Sequence, residues 1–296
     1  MRDCFSGYHP TVNFFYFACV LLFSMFFMHP VCLGISLVSA LAYSVYLNGR
    51  RAIVFNVKFM LPLLLLTALL NPAFNHAGVT ILTYLPNGNP ITLEAVLYGI
   101  AAAVMLVTVI GWFSCYNTVM TSDKFTYLFG RVIPSLSLIF SMTLRFVPRF
   151  KARFRVVSNA QRCIGRDVSS GGLFQRLRHG VTIVSIMVTW ALENAIETAD
   201  SMRSRGYGLK GRTAFSIYRF DRRDKAALGF FLFCACYLVI GGLTGGLEWR
   251  YYPGLGGSLT GAYSVSLYVC YLALCVSPLA IDLKEDRKWK SLISKI

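Results

Sequence analysis

A series of apolar runs close to 20 residues long dominates this chain of 296 residues. A helix rises 1.5 Å per residue, so about 20 apolar residues match the roughly 30 Å hydrocarbon core of a bilayer. Runs of this kind cover 12–28, 31–47, 53–70, 93–120, 226–243 and 263–281. Composition points the same way: 56% of residues are hydrophobic and 14% charged, where soluble domains carry about 25% charged residues. Mean hydropathy is +0.57. A soluble enzyme or a disordered tail is excluded as the main content. The expected fold class is an all-α polytopic membrane protein with about six membrane spans, accompanied by two or three long cytoplasmic helices.

Charge orders the spans. The net charge is +16, and it is concentrated in residues 124–225, which hold 19 Lys and Arg against 6 Asp and Glu. Cytoplasmic loops of membrane proteins carry the excess of Lys and Arg. With both termini cytoplasmic, the outer loops are His29-Pro30, 71–92 and 244–262, and their one basic residue is Arg250. The expected organisation is therefore 1–123 with spans one to four, 124–225 as a basic cytoplasmic region, and 226–296 with spans five and six and a basic tail. Pro62 is expected to kink the third span, Lys58 to snorkel to headgroups, and 71–92 to be a polar loop. Glu94 is expected to mark a span end, and His76 and Asn71 to hydrogen-bond within the outer loop.

The basic region is more than a loop. It contains apolar stretches 132–144 and 181–192, too short to cross a bilayer alone, and each runs on into a charged helical segment. Ser169-Ser170-Gly171-Gly172 separates the two helices. A helix over 173–205 would be roughly 50 Å long at 1.5 Å per residue, an arm at the cytoplasmic surface in contact with membrane lipids. On it, Ala191, Ala195 and Ala199 form a small-residue stripe, continued by Met202, that lets another helix approach closely. Glu193, Glu197 and Asp200 line another face.

The two helices end alike. The first closes on Arg162-Cys163-Ile164-Gly165-Arg166, the second on Arg203-Ser204-Arg205-Gly206. Aligned on glycine, both read Arg-x-x-Gly. Arginine at a helix C-terminus complements the partial negative charge there. That role does not account for the long arm between two such ends. Two similar basic tips held far apart suit a partner that is a dimer with two equivalent grooves.

Residues 191–208, with the alanine stripe and Ser204-Arg205-Gly206-Tyr207-Gly208, resemble the signature of the transmembrane T component of energy-coupling factor (ECF) transporters. Supporting stretches are similar to the same family: Asn71-Pro72-Ala73-Phe74-Asn75-His76-Ala77-Gly78, Arg145-Phe146-Val147-Pro148, and Gly211-Arg212-Thr213 with Arg222-Arg223-Asp224. The resemblance runs from about residue 10 to 285. It implies membrane helices combined with long coupling helices, whose two short motifs dock into grooves of two ABC-type ATPase subunits. Ser204, Arg205 and Gly206 would be the second motif. Cys163, Ile164 and Gly165 would occupy the first, with Ile164 where arginine is usual. Apolar docking there, or charge supplied by Arg162 or Arg166, are both open, and the departure would suit two non-identical ATPases. The resemblance also implies a substrate-binding membrane S component as partner, and uptake of a micronutrient such as a vitamin or metal ion.

Nothing in the chain suggests nucleotide chemistry of its own. There is no GxxxxGK[ST] loop, so ATP and Mg are expected on partner subunits, with no cofactor and no catalytic residue here. The four histidines are scattered, and the nine cysteines form no CxxC pair and no metal-ligand spacing, so no bound metal is expected. The arginines follow no nucleic-acid module. The competing readings are an intramembrane enzyme, which needs polar groups facing a cavity within the spans, and a stand-alone secondary transporter, which normally shows internal repeats with broken helices.

Overall fold

The computed structural model describes residues 3–84, 90–130, 134–167, 169, 172–209, 218–257 and 261–293. Gly211-Arg212-Thr213, Ser170-Gly171 and the start of the 132–144 stretch lie outside the described residues. The chain divides into two compact units, one of residues 1–125 and 218–296, the other of residues 126–217.

In chain order the helices are α1 (Pro10–Phe26), α2 (Pro30–Asn48), α3 (Arg50–Phe55), α4 (Leu61–Phe74), α5 (Leu93–Val119), α6 (Ser122–Gly130), α7 (Pro134–Cys163), α8 (Leu173–Ser204), α9 (Arg222–Leu243) and α10 (Ala262–Ile293). Two small antiparallel hairpins join them, β1 (Ile81–Tyr84) with β2 (Pro90–Thr92), and β3 (Trp249–Arg250) with β4 (Gly256–Gly257). By length and composition, six helical stretches can cross a membrane: α2, residues 50–74, α5, α8, α9 and α10. The set differs from the sequence expectation by one exchange. Helix α1 has 17 residues, about 26 Å of rise, short of the hydrocarbon thickness. Helix α8 is long enough and has the lowest hydropathy of the six, 1.2.

In the first unit, α5 packs on α1, α2 and α4, while α10 packs on α2 and α9. The core is aromatic: Phe5, Tyr16, Phe17, Tyr43, Trp112, Phe231 and Tyr271 are all buried. One group of polar side chains at this depth is paired within itself, as a span interior favours. Ser24 Oγ lies 2.8 Å from Ser36 Oγ and 3.2 Å from Tyr271 OH. Trp112 Nε1 donates to Ser36 Oγ at 3.0 Å. His29 caps α2, its Nδ1 accepting from Val31 N at 3.3 Å, and its Nε2 meets Tyr268 OH at 2.9 Å.

Residues 50–74 are almost entirely uncovered within the chain, with Leu65, Leu66 and Leu69 exposed, a surface suited to lipid. Where a kink was expected at Pro62, a π-helical turn, Asn56–Met60, precedes the proline. Leu61 N donates to Asn56 O there, so the wide turn absorbs the hydrogen bond that Pro62 cannot make.

The polar loop expected over 71–92 is corrected. Residues 71–74 finish α4, and 81–84 pair with 90–92 as β1 and β2. Pro72 sits inside α4 and leaves the Ala68 carbonyl without its i→i−4 donor. Gly99 of α5 lies against that carbonyl, where a Cβ would come within 2.9 Å of Ala68 O. Asn71 Nδ2 donates to Ala95 O at 2.7 Å, so its bond ties α4 to α5 and not the loop to itself. Glu94 is buried, and both its oxygens accept from Thr80 N at 3.2 Å.

Candidate coupling site

The second unit is an antiparallel helix pair. Val157 of α7 with Ile183 and Met187 of α8 forms its buried cluster. Phe150 meets Trp190 edge-on with centroids 5.3 Å apart, and the Arg153 guanidinium lies 5.6 Å from the Trp190 ring. The α8 residues that are buried or half-buried are His179, Gly180, Thr182, Ile183, Met187, Trp190, Ala191, Asn194, Thr198 and Met202, a stripe at helical spacing. Ala191 belongs to this seam; Ala195 and Ala199 lie exposed on the adjoining face. The acidic residues Glu193, Glu197 and Asp200 are also exposed.

The antiparallel pairing puts the two tips at opposite ends of the unit. Helix α8 alone has 32 residues, about 48 Å of rise. Both tips are closed by one geometry. Gly165 N donates to Arg162 O at 3.0 Å and Arg166 N to Gln161 O at 2.9 Å; Gly206 N donates to Arg203 O at 2.9 Å and Tyr207 N to Met202 O at 3.0 Å. Each glycine has φ of 77°, the left-handed conformation of a Schellman cap.

A third helix separates the roles of glycine and arginine. Helix α9 ends the same way, with Gly245 N to Gly242 O at 3.2 Å, Gly246 N to Gly241 O at 3.0 Å and φ of 77° at Gly245. No arginine stands there. The glycine therefore makes the cap, and the arginines of the other two tips are surplus to it.

What the tips present differs. At the first, Arg162 pairs with Asp167 at 3.5 Å, Cys163 and Arg166 are exposed, and Ile164 is 61% exposed at the apex. An isoleucine so placed leaves most of its apolar surface uncovered among the described residues. At the second, Ser204 Oγ turns back to Ser201 O at 2.9 Å, which leaves Arg205 as the outward group. Arg205 also lines a cleft of about 560 Å³ between α7 and α8, together with Arg145, Arg149, Asn194, Glu197 and Thr198. Among the described residues, none of these three arginines has a carboxylate within ion-pair distance. The sequence reading missed this convergence. The available signal was the i, i+4 spacing of Arg145 and Arg149, which places them on one face of α7.

All nine cysteines are free. Among the described residues, no three His, Cys, Asp or Glu side chains gather as a metal-holding group.

With this geometry in place, comparison with known proteins adds an independent finding. The family described as CbiQ, cobalt transport protein, matches residues 5–215. The chain is 32% identical over 114 residues to the energy-coupling factor transporter transmembrane protein EcfT of Lactobacillus helveticus, covering 38% of this chain and 41% of that one. It is 33% identical over 109 residues to the protein of the same name from Lacticaseibacillus paracasei, covering 36% and 41%. It is 33% identical over 116 residues to EcfT 1 of Listeria monocytogenes, covering 39% and 40%. The matched segments span about two fifths of the length of these curated relatives.

Proposed function

The chain belongs to the CbiQ family of cobalt transport proteins, and on that premise we propose that it is the energy-coupling transmembrane component of an ECF-type importer. The observation that carries the proposal is the pair of identical caps at the two ends of the α7–α8 unit, each presenting a side chain the cap does not use.

In this reading Arg205, with Ser204 and Gly206, docks into the groove of one ABC-type ATPase. The first tip, Cys163, Ile164 and Gly165 flanked by Arg162 and Arg166, docks into a second. The exposed Ile164 favours an apolar contact there, and with it two ATPases that are not identical. Arginine suits the second tip because it stays charged and can bond a carboxylate through two N–H groups. ATP and Mg bind and react on those ATPases. Their closure moves the tips, and α7 and α8 carry the motion through a packed seam, as transmission between discrete arrangements requires. A substrate-binding membrane S component, approached along the face of Ala195 and Ala199, receives it. Both termini lie in the cytoplasm, as the positive-inside rule favours. The cargo is a micronutrient, a metal ion such as cobalt or a vitamin.

The test is co-expression with a panel of ABC-type ATPases and purification through a tag on this chain. Retention of an ATPase pair, with ATP-driven uptake in reconstituted vesicles, is expected. No retention across the panel would refute the proposal and return attention to an intramembrane enzyme or a stand-alone transporter.

A further inference from the structure

The α7–α8 unit leaves the first unit after Phe125 and rejoins it at Tyr218. Residues beside both junctions are gripped by one short piece of chain, segment 3–9 ahead of α1. On the exit side, Lys124 is 5% exposed. Its ammonium donates to Ser6 O, to Ser6 Oγ at 2.8 Å and to Val119 O, the last carbonyl of α5, at 2.8 Å. All three donors of the ammonium are thus used, two of them on segment 3–9. Among the described residues, no carboxylate lies within ion-pair distance of it. Burial holds its pKa below the ordinary lysine value, with Asp3 opposing.

On the return side, Asp221 and Asp224 close a capping box at the start of α9. Asp224 Oδ1 also accepts from His9 N at 3.2 Å. Arg223 Nη2 donates to Gly7 O at 3.5 Å, and its guanidinium lies 5.2 Å from the Tyr8 ring. The His9 ring meets Phe220 edge-on at 4.8 Å. The segment is itself held to the bundle. Phe5 is fully buried against Tyr16 and Phe231, and its N–H donates to Asp282 Oδ1 of α10 at 2.8 Å.

A buried ammonium is an expensive way to fill space beside the end of a helix. A methionine would fill the same stem without desolvation. What lysine adds is a three-way tie among α5, the exit junction and segment 3–9, and Asp224 makes the matching tie at the return. We propose that segment 3–9 is a clip that couples the two junctions of the α7–α8 unit, with Lys124 and Asp224 as its positioning residues, so that the junctions loosen or hold together. The clip itself stands on these contacts. Its consequence for transport rests on the function proposed above.

Hydrogen exchange on the full chain in lipid nanodiscs tests it. Lys124→Met should speed exchange by about tenfold, the order of a lost buried hydrogen bond, at residues 119–125 and also at 218–224, with which its ammonium makes no hydrogen bond among the described residues. Asp224→Asn should do the reverse, reaching 119–125. Amides of the α5 interior near 105–112 serve as the folding control and should stay protected. Arg223→Gln, which among the described residues loses the bond to Gly7 O and the contact with the Tyr8 ring, is the milder variant; it should raise exchange at 119–125 by a smaller factor and decides the matter if Lys124→Met unfolds the bundle. A rise confined to the mutated junction overturns the clip. In the ATPase-bound assembly, clip variants should keep ATP hydrolysis and lose uptake. If the wild type shows no ATP-driven uptake while exchange remains coupled, the transport reading fails and the clip stands.

Discussion

Replacing Gly206 by alanine, beside replacing Arg205 by alanine, separates what closes α8 from what the tip is for. Gly206 has φ of 77°, where a side chain costs roughly 1–2 kcal/mol. The lost freedom of the unfolded glycine returns about 0.4–1 kcal/mol. The added Cβ would lie 3.1 Å from Leu209 Cδ1, the end of an exposed and movable side chain, so its contribution is small. The net is a loss of about 0.8 kcal/mol, at most about 1.6, which is about a fourfold rise in opening of the last turn at about 1.4 kcal/mol per decade. Arg205→Ala removes an exposed charge whose favourable interaction with the helix end is worth about 0.3–1 kcal/mol at most, so the last turn should change little. Hydrogen exchange over residues 200–207 reads both. Gly165→Ala should behave as Gly206→Ala does, at the other end of the unit. If Arg205→Ala frayed α8 as much as Gly206→Ala, the arginine would be part of the cap, and the reasoning that frees it for docking would fail.

Other outcomes follow from named contacts. Ile183 is 1% exposed in a buried cluster of three residues, so Ile183→Ala should cost about 2–4 kcal/mol and raise exchange along both α7 and α8, with the membrane bundle unaffected. Gly99→Val would drive a Cβ within 2.9 Å of the Ala68 carbonyl; a loss of about 1–3 kcal/mol should appear as a lower melting temperature in detergent. His9 is held neutral, its pKa lowered from 6.5 by burial with Asp224 opposing, and its Nδ1 accepts from Thr11 N at 3.3 Å. The unfolded chain therefore binds the proton more readily than the folded one. Stability should be full above about pH 6.5, fall as pH drops through the window below it, and level off once the folded form is protonated. His9→Gln should remove that slope in melts taken between pH 7.5 and 5.

Five of the six candidate spans were legible because an apolar run of bilayer length has few other uses, and the ends of α7 and α8 because Gly165 and Gly206 leave helices one cheap exit. The details that escaped depend on partners distant in sequence. Pro72 reads as a loop signal, but α4 continues through it because Gly99 opens room beside the freed Ala68 carbonyl. The stripe read on α8 meets the seam with α7 at Ala191 and Met202, yet between them the seam runs through Asn194 and Thr198 and not Ala195 and Ala199, because polar and small residues pack as readily as alanine in a two-helix unit with little core. Lys124 counts in the sequence as one more positive charge of a basic block. Its burial is set by Ser6 and Val119, which composition cannot anticipate. Arg145 and Arg205 stand 60 positions apart in sequence and share one cleft only because the helix pair is antiparallel.

The most direct measurement is retention of the ATPases by this chain when the tips are altered one at a time. Arg205→Glu should abolish or uncouple one contact while the fold, read by hydrogen exchange of α8, stays intact. Ile164→Glu should weaken the contact at the other tip, and Ile164→Arg should preserve or strengthen it. Undiminished ATPase retention and ATP-driven uptake in both glutamate variants would contradict the account, because it would show that neither tip transmits the motion.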